Sequence, residues 1–314
     1  MSCQPGVSPV VECGHNEPPP RNFLSGKGIT RQGETVMTAY LTPEPITATL
    51  TTAGALVRIA ASDRTDTVVH VEPVDGANKS NVKVAEGTKV GFSDGELSIK
   101  TTKSGDKNGS VAITIELPAG SRLILNSATT DVHAAGPLGD CELNISSGQV
   151  RLDRVSALRA NLAAGEVEIG RIAGTADIEG GSAGVRIGEA GGVVKYEGST
   201  GKVWIGHARS DVELGGSGGG FDIDHAEGDV LATTGNCPIR IGRMTRGQAN
   251  LTNAGGGIEV GVSEGSSALV DAKSTKGTVR STLPVQDRGR FDEQVTIHAR
   301  TRLDDIVIRP VAVA

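Results

Sequence analysis

Aromatic side chains are scarce in this sequence, with one Trp, two Tyr and four Phe among 314 residues. Large rings usually contribute much of a globular core, because each buries a large apolar area. A narrow interior filled by Val, Ile, Leu and Ala does not need them. The scarcity therefore disfavours a thick globular core and favours an architecture with a thin one.

Long apolar runs and a dominant charge are also missing. No stretch approaches the ~18 apolar residues of a membrane span, and residues 1–36 hold no apolar segment after a basic start, as a signal peptide would. The formal net charge is −6 with both signs mixed along the chain, so no basic face for phosphates is expected. We therefore predict no membrane span, no nucleic-acid partner and a cytoplasmic location, with the cell surface as the alternative.

Cysteine is rare as well. Cys3 and Cys13 lie in the N-terminal stretch, Cys141 and Cys237 lie far apart in the body, and no two form a CxxC pair. This spacing is no disulfide framework, which agrees with a reducing compartment. We expect Cys141 to be a small buried hydrophobe and Cys237, beside Pro238, to be the more accessible thiol.

Residues 1–36 are rich in Pro, Gly, Asn and Ser and lack periodicity, which predicts a disordered N-terminal extension. Met37 then opens a plausible folded start. Two explanations stay open. Either Met37 is the true initiator and 1–36 results from a misassigned start, or 1–36 is an ordinary flexible tail.

A repeat begins near residue 121. Apolar residues recur there at intervals of mostly 18 residues, and in all but the last repeat another apolar residue follows two positions later. The first members of these pairs are Val132, Val150, Val167, Val185, Val203, Phe221, Ile239, Ile258 and Val279. A similar pair precedes each of them, such as Leu158 and Ala160 before Val167. Alternation of this kind predicts short strands with one buried face.

The predicted fold is therefore all-β, a single-domain parallel β-solenoid (β-helix) whose ~18-residue coils each contribute two strands. The outward positions test this register independently, because equivalent residues of stacked coils lie ~4.8 Å apart. Their charges alternate in sign from coil to coil, and Trp204 alone interrupts the second series. The first strands carry Glu142, Arg159, Asp177, Lys195 and Glu213, and the second strands carry Arg151, Glu168, Arg186, Trp204, Asp222, Arg240, Glu259 and Arg280.

The flanking segments are also strand-rich. Residues 37–120 include a hairpin signal at Ser93-Asp94-Gly95 and are predicted to form the N-terminal part of the solenoid, covering its first edge. Residues 121–314 hold the regular repeats. Within them, 295–299 and 306–309 are expected to form the last, irregular coil that caps the stack.

Several segments resemble the bacterial putative-adhesin domain family of unknown function, in particular its actinobacterial members. They are residues 42–46 (TPEPI), 59–68 (IAASDRTDTV), 115–121 (IELPAGS), the repeated Gly-x-Val-x-Ile-Gly coils and 299–309. The resemblance covers about 37–310, and residues 1–36 have no counterpart in it. It implies a β-solenoid and little about activity, since the adhesin name rests on analogy of fold.

The densest polar group is formed by Asp222, Asp224 and His225. A catalytic carboxylate pair would need both aspartates on one face, whereas Asp224 is expected in the turn, so a solvated face is the preferred interpretation. His207 and His225 occupy the same position of successive coils, where they could share Zn²⁺ or Cu²⁺ with Asp224. Two exposed turn histidines are the plainer interpretation, so we predict no catalytic residue, no metal and no cofactor.

Trp204 is the candidate contact residue, since an exposed indole is typical of a sugar or protein contact, although it can equally cover a neighbouring loop. The regular outer face, without an evident active site, predicts a non-enzymatic scaffold or binding module for an unknown protein or surface glycan. A capped monomer is expected. A self-assembling solenoid that joins end to end and a carbohydrate-active β-helix enzyme are the alternatives.

Overall fold

The computed structural model describes residues 36–101, 109–284 and 293–312. The N-terminal elements are β1 Val36–Leu41, β2 Thr47–Thr52, β3 Ala55–Ser62, β4 Asp66–Pro73, α1 Lys79–Gly87, β5 Lys89–Ser93, β6 Glu96–Lys100 and β7 Val111–Pro118. The repeats begin with β8 Arg122–Leu138, β9 Cys141–Ser147, β10 Gln149–Val155, β11 Leu158–Leu162, β12 Glu166–Ile172, β13 Ala176–Gly180, β14 Gly184–Ala190, β15 Val194–Gly198 and β16 Lys202–Ala208. They continue with β17 Val212–Gly216, β18 Gly220–Ala226, β19 Val230–Thr234, β20 Ile239–Met244, β21 Gly247–Asn253, β22 Ile258–Ser263, β23 Ser266–Ser274, β24 Val279–Ser281, β25 Glu293–Thr301 and β26 Ile306–Val311.

The chain winds into a parallel β-solenoid, because each coil gives one strand to each of two facing sheets. The first sheet has the order β5-β6-β2-β8-β9-β11-β13-β15-β17-β19-β21-β25-β23. The second has the order β1-β4-β7-β3-β8-β10-β12-β14-β16-β18-β20-β22-β26-β24. The long strand β8 passes from one sheet to the other. The predicted fold class is confirmed.

The predicted inward column is confirmed in the regular coils. Val167 pairs with Val185, which pairs with Val203, and all three side chains are buried. Each buried Val, Leu or Ile contributes roughly 1.5–3 kcal/mol. The stability of the stack therefore resides in this apolar spine, since exposed ion pairs contribute only ~0–1 kcal/mol each.

A further buried column lies at the end of each second strand and was not predicted from the alternation. The inward positions of β12 are Val167 and Ile169, after which one residue, Gly170, is left out of the parallel register. The alternation resumes one step out of phase, so Arg171 faces outward and Ile172 inward. The members of this column are Leu138, Val155, Ile172, Ala190, Ala208, Ala226, Met244 and Val262, and all are buried.

Glycine serves two separate purposes in the coils. At the turn before β12, Gly165 has φ +98°, and a Cβ there would lie 2.2 Å from the carbonyl oxygen of Gly148 in the adjacent coil, so only glycine fits. At Gly198 the reason is volume, because a Cβ would lie 2.2 Å from Tyr196 Oη. The buried rings of Tyr196 and Phe221 meet edge to face at 6.1 Å. They occupy space that glycines of the same and adjacent coils leave free, namely Gly198 and Gly180 at Tyr196 and Gly216 at Phe221.

The order of coils at the far end differs from the expectation. Strands β25 and β26 are not the outermost coil, since β25 lies between β21 and β23 and β26 lies between β22 and β24. Ile258 therefore stacks on Ile306 instead of Val279, whose side chain is 42% exposed. Val295, Ile297 and the inward residues of β26 are more apolar than the coil of β23 and β24, so placing them inside buries more apolar area.

This order also corrects the last step of the outward charge series. Glu259 does not face Arg280. It pairs instead with Arg309 at 2.9 Å, which belongs to β26 of the inserted coil, the coil formed by β25 and β26. Arg280 pairs with Asp305 at 3.5 Å. The earlier steps keep the predicted register, with ion pairs that include Arg159–Asp177 at 3.8 Å and Lys195–Glu213 at 3.6 Å.

Residues 37–120 contribute strands to the same two sheets, again out of chain order. The coil of β2 and β3 lies between β8 and the coil of β6 and β7. The hairpin expected at Ser93-Asp94-Gly95 joins β5 to β6, and both turn residues have positive φ, 51° and 76°. Helix α1 was not predicted. Its sequence signal is Asn78, whose side chain caps the helix by accepting from the Ser80 backbone N–H.

The predicted extension 1–36 lies, apart from Val36, outside the described residues, and the division at residue 120 stays a prediction. Within the described ranges, no helix has the length and apolar character required to cross a bilayer.

Candidate binding groove and histidine cluster

A groove runs along the outer face of the second sheet, parallel to the axis of the stack. Its volume is about 790 Å³. It crosses β10, β12, β14, β16, β18 and β20, which makes it roughly 24 Å long at ~4.8 Å per strand. The second outward series forms one side of it, with Arg151, Glu168, Arg186, Trp204, Asp222 and Arg240.

Trp204 lies near the middle of this groove. It pairs in register with Arg186 of β14 and Asp222 of β18. The Arg186 guanidinium lies 4.6 Å from the indole centroid, which is a cation–π contact. A Cβ at Gly206 would lie 3.0 Å from Trp204 Cη2, so the ring extends along its own strand over a residue without a side chain. The indole is thus held between Arg186 and the sheet.

The charges of the groove are unequally compensated. Arg151 pairs with Glu168 at 3.4 Å, and Arg240 pairs with both Asp222 and Asp224. Among the described residues, neither Arg186 nor Lys202 has a carboxylate oxygen within the 4.0 Å of an ion pair. The centre of the groove therefore carries two cations that have no ion pair among the described residues. Lys202 lies between Gly184 and Gly220 in the parallel register, and Arg186 lies two residues beyond Gly184 on β14.

The Asp222 and Asp224 carboxylates are bound to one guanidinium. Arg240 donates to Asp222 and, at 3.2 Å, to Asp224. The hydrogen bonds to Asp222 and Asp224 raise the pKa of Arg240. Each carboxylate is therefore engaged as an acceptor by a permanent cation. This arrangement differs from that of a glycosidase pair, in which one carboxyl must stay protonated to act as an acid.

His207 and His225 stack as their register predicts. Their ring centroids are 4.5 Å apart, with the planes inclined by 10°. Glu227 approaches both rings, since its Oε1 lies 2.9 Å from His207 Nε2 and 3.9 Å from His225 Nε2. Asp224, the carboxylate suggested by the sequence, is engaged by Arg240. Glu227 takes the place beside the imidazoles.

The second ring nitrogen of His225 is also engaged. Its Nε2 lies 2.9 Å from Thr245 Oγ1, and Arg243 donates to its Nδ1 at 3.1 Å. Burial, together with the nearby charges of Arg243 and His207, lowers the pKa of His225. Burial opposes ionisation of Glu227, but the hydrogen bond from His207 and the surrounding positive groups lower its pKa overall.

Glu227 could have been recognised from the sequence as the carboxylate beside His207, because side chains twenty residues apart meet between adjacent coils. His207 contacts Glu227 and His225 contacts Thr245, each twenty residues further along the chain. Glu189 and Arg209 form an ion pair at the same separation, at 2.6 Å. One coil plus two residues therefore brings an outward side chain onto the turn of the next coil.

The two cysteines of the repeats are both buried free thiols. Cys141 lies in the inward column as expected, and burial raises its pKa to about 12. The expectation that Cys237 is the more accessible thiol is wrong, because its side chain is fully buried, 2.8 Å from Thr234 Oγ1. Burial also raises the pKa of Cys237. Thiolate nucleophiles at these positions are therefore disfavoured.

Stacked two-strand coils, an apolar spine and a long outer groove define the chain as a parallel β-solenoid with a groove on the outer face of one sheet. The chain belongs to the family described as Toastrack DUF4097, whose model matches residues 48–308. The resemblance to the putative-adhesin domain of unknown function is thereby confirmed, while its actinobacterial type stays a prediction. A comparison with curated proteins found no match.

Solved structures similar to this chain are named putative adhesins or a putative lipid binding protein. One is a putative adhesin from Bacteroides fragilis, 13% identical, covering 90% of this chain and 100% of its own, with a TM-score of 0.32. Another is a putative adhesin from Parabacteroides merdae, 8% identical, covering 91% and 100%, with a TM-score of 0.34. A third is named a putative lipid binding protein, from Parabacteroides distasonis, 12% identical, covering 89% and 97%, with a TM-score of 0.37.

Proposed function

We propose that the protein is a non-enzymatic binding module that holds an acidic segment of a partner protein in the groove of the second sheet. The observation that carries this proposal is the pair of unneutralised cations, Arg186 and Lys202, beside the indole of Trp204. Trp and Arg are the residues most enriched in the energetically dominant parts of protein interfaces. Carboxylates of a partner would pair with these two cations, whereas Glu166, which also lines the groove without an ion pair among the described residues, favours a partner that carries a cation opposite it.

The alternative ligand, a glycan, is less well matched to the groove. Sugar sites usually offer an open aromatic face, whereas Arg186 lies over the Trp204 ring. The groove also runs across fully paired strands, so a partner peptide cannot add to the sheet as a further strand. It must be recognised by its side chains, and charge complementarity suits that mode.

The cytoplasm is the compartment we propose for this interaction. Cys141 and Cys237 are free thiols with buried side chains, and such thiols are common in reducing compartments. The proposed state is a monomer, with end-to-end assembly as the alternative.

The binding proposal is testable with the intrinsic fluorescence of Trp204, because it is the only tryptophan of the protein. The probes are an array of ten-residue peptides that vary in Asp and Glu content, with Lys-rich peptides of equal length and a uronic-acid oligosaccharide beside them. We expect Asp- and Glu-rich peptides to shift the emission, with affinity falling as salt rises. Mass spectrometry of the recovered peptide should show no chemical change.

Arg186→Ala and Lys202→Ala should each weaken peptide binding at least threefold. Arg159→Ala is the matched control, since it removes an exposed cation from the first sheet. Equal binding by wild type and Arg186→Ala contradicts the groove assignment. If the oligosaccharide binds and no peptide does, the ligand is a glycan and not a partner protein. If shorter sugars are released from the oligosaccharide, the protein is a carbohydrate-active enzyme.

A further inference from the structure

We propose that His207, His225 and Glu227 form a binding site for one divalent transition-metal ion, with Zn²⁺ as the matched ion. This inference is independent of the groove ligand, because it rests on a different set of side chains further along the same strands. Two imidazoles and one carboxylate are a donor set that Zn²⁺ accepts, and three protein ligands leave a fourth position for water or another ligand.

The positions of the donor atoms carry the proposal. One ring nitrogen of each histidine and a carboxylate oxygen of Glu227 all lie within 4.8 Å of one another. Bonds of about 2.0–2.1 Å to a tetrahedral Zn²⁺ place neighbouring ligand atoms roughly 3.4 Å apart. The two contacts to Glu227, 2.9 Å and 3.9 Å, bracket that value. The donor atoms are therefore close enough to enclose an ion once the two imidazoles turn toward each other.

The fold fixes this arrangement through its coil spacing. His207 in β16 and His225 in β18 are directly paired in parallel register, and Glu227 follows β18 at the turn. All three side chains are only partly buried, so an ion can enter from solvent. A bound ion would link adjacent coils, and binding to the folded state alone would raise its stability.

Three features of the unliganded site oppose binding and set its affinity. Nε2 of His225 contacts Thr245 Oγ1 at 2.9 Å, and this contact must break before that nitrogen can bind an ion. The rings lie nearly parallel, so both must tilt before their lone pairs converge. Arg243 donates to Nδ1 of His225, whereas a histidine that binds metal through Nε2 usually donates from Nδ1 to an acceptor. Arg243 must therefore move aside, and its charge repels the ion. Removal of the Arg243 charge should therefore strengthen metal binding.

The experiment is calorimetric titration of the full chain with Zn²⁺ at pH 7.5, repeated with Cu²⁺, which binds such donors more tightly. We expect one Zn²⁺ per chain in the wild type. His207→Ala and His225→Ala should each weaken binding at least tenfold, and Glu227→Gln at least threefold. Arg243→Gln should strengthen it at least threefold. Asp224→Asn is the matched control and should match the wild type, because Arg240 engages that carboxylate.

A second readout separates loss of the site from loss of the fold. Trp204 lies three residues before His207 on β16, within about 10 Å at ~3.3 Å per residue, so bound Cu²⁺ should quench its emission. The melting temperature should rise with Zn²⁺ in the wild type but stay unchanged in His207→Ala. The proposal is overturned if the wild type binds no Zn²⁺ at micromolar concentration, if only Arg243→Gln binds, or if Asp224→Asn loses as much affinity as His207→Ala.

Discussion

The two ends of the stack are built differently. At one end the outermost parallel coil, β6 and β7, is covered by helix α1 and the antiparallel strands β1, β4 and β5, and its inward residues such as Ile99 and Ile115 are fully buried. At the other end the outermost coil, β23 and β24, leaves the inward residue Val270 only partly buried and Val279 42% exposed. The apolar core of a solenoid can thus be shielded from water at its ends in two ways. Other strands and a helix can cover an apolar outermost coil, or the outermost coil can itself be more polar.

The largest expected effect contrasts the middle of the stack with its open end. Ile187→Asp places a carboxylate in the fully buried column of β14, where an unpaired charge destabilises by about 4 kcal/mol or more. Val279→Asp makes the same chemical change at an exposed position of the last coil and should stay within about 0.5 kcal/mol. Urea unfolding monitored by circular dichroism measures both. Similar losses in the two variants would refute the inward assignment of Ile187.

Removal of the inserted coil should loosen the open end without unfolding the middle. A chain that stops at residue 292 lacks β25 and β26, so β21 and β22 each lose the neighbouring strand on one side, and β23 and β24 lose the strands with which they pair. Because each coil depends on adjacent ones, amide exchange should accelerate across 247–281 and change little across 141–208.

The control for this truncation is a chain that begins at Met37, for which we expect unchanged melting and exchange. Uniform acceleration over the whole stack in the shorter chain would show that it unfolds as one unit. In that case the two ends of the stack would not differ in local stability.

Association through the open end is the next test. We expect light scattering to give a constant mass near 32.1 kDa at all concentrations, because the last coil combines Leu269 and Val279 with polar neighbours. Leu269→Lys should leave that mass unchanged. Growth of the wild type with concentration, abolished by Leu269→Lys, would establish end-to-end assembly instead.

The smallest expected effect is a response to acid at the open end. The backbone hydrogen bond from Thr278, at 2.8 Å, lowers the pKa of Asp305, with the Arg280 charge assisting. A depressed folded-state pKa means that the stabilisation is present above the ordinary carboxyl value, about 4. It is lost as pH falls through the folded value.

Amide exchange of residues 278–281 should therefore rise between pH 6 and pH 3 more than exchange in β14, after correction for intrinsic rates. Asp305→Asn should remove most of this difference. The same pH response in Asp305→Asn and wild type would contradict the assignment to this carboxyl.

The regular coils were predictable from the sequence because period-two alternation and an 18-residue repeat reinforce each other at every step. Val167, Val185 and Val203 illustrate this, since one register satisfies both the apolar and the charged positions. The buried column that includes Ile172 was not predicted. One residue in each second strand, such as Gly170, is left out of the parallel register, and this shifts the phase of the alternation by one residue. The candidate site was predictable only in part. The stacking of His207 on His225 follows from the repeat, whereas the diagonal contact to Glu227 requires the direction in which side chains lean between coils.

The displaced order of the last coils has a consequence for the nascent chain. As synthesis proceeds, Val279 emerges from the ribosome before Ile306, so β24 can pair provisionally with β22 in the register that the repeat itself suggests. Formation of the native stack then requires β25 and β26 to invade between coils already in contact, a strand-displacement step. We expect a slow refolding phase confined to residues 247–281 in pulse-labelling exchange. Its absence would show that β23 and β24 stay unpaired until β25 and β26 have joined the stack.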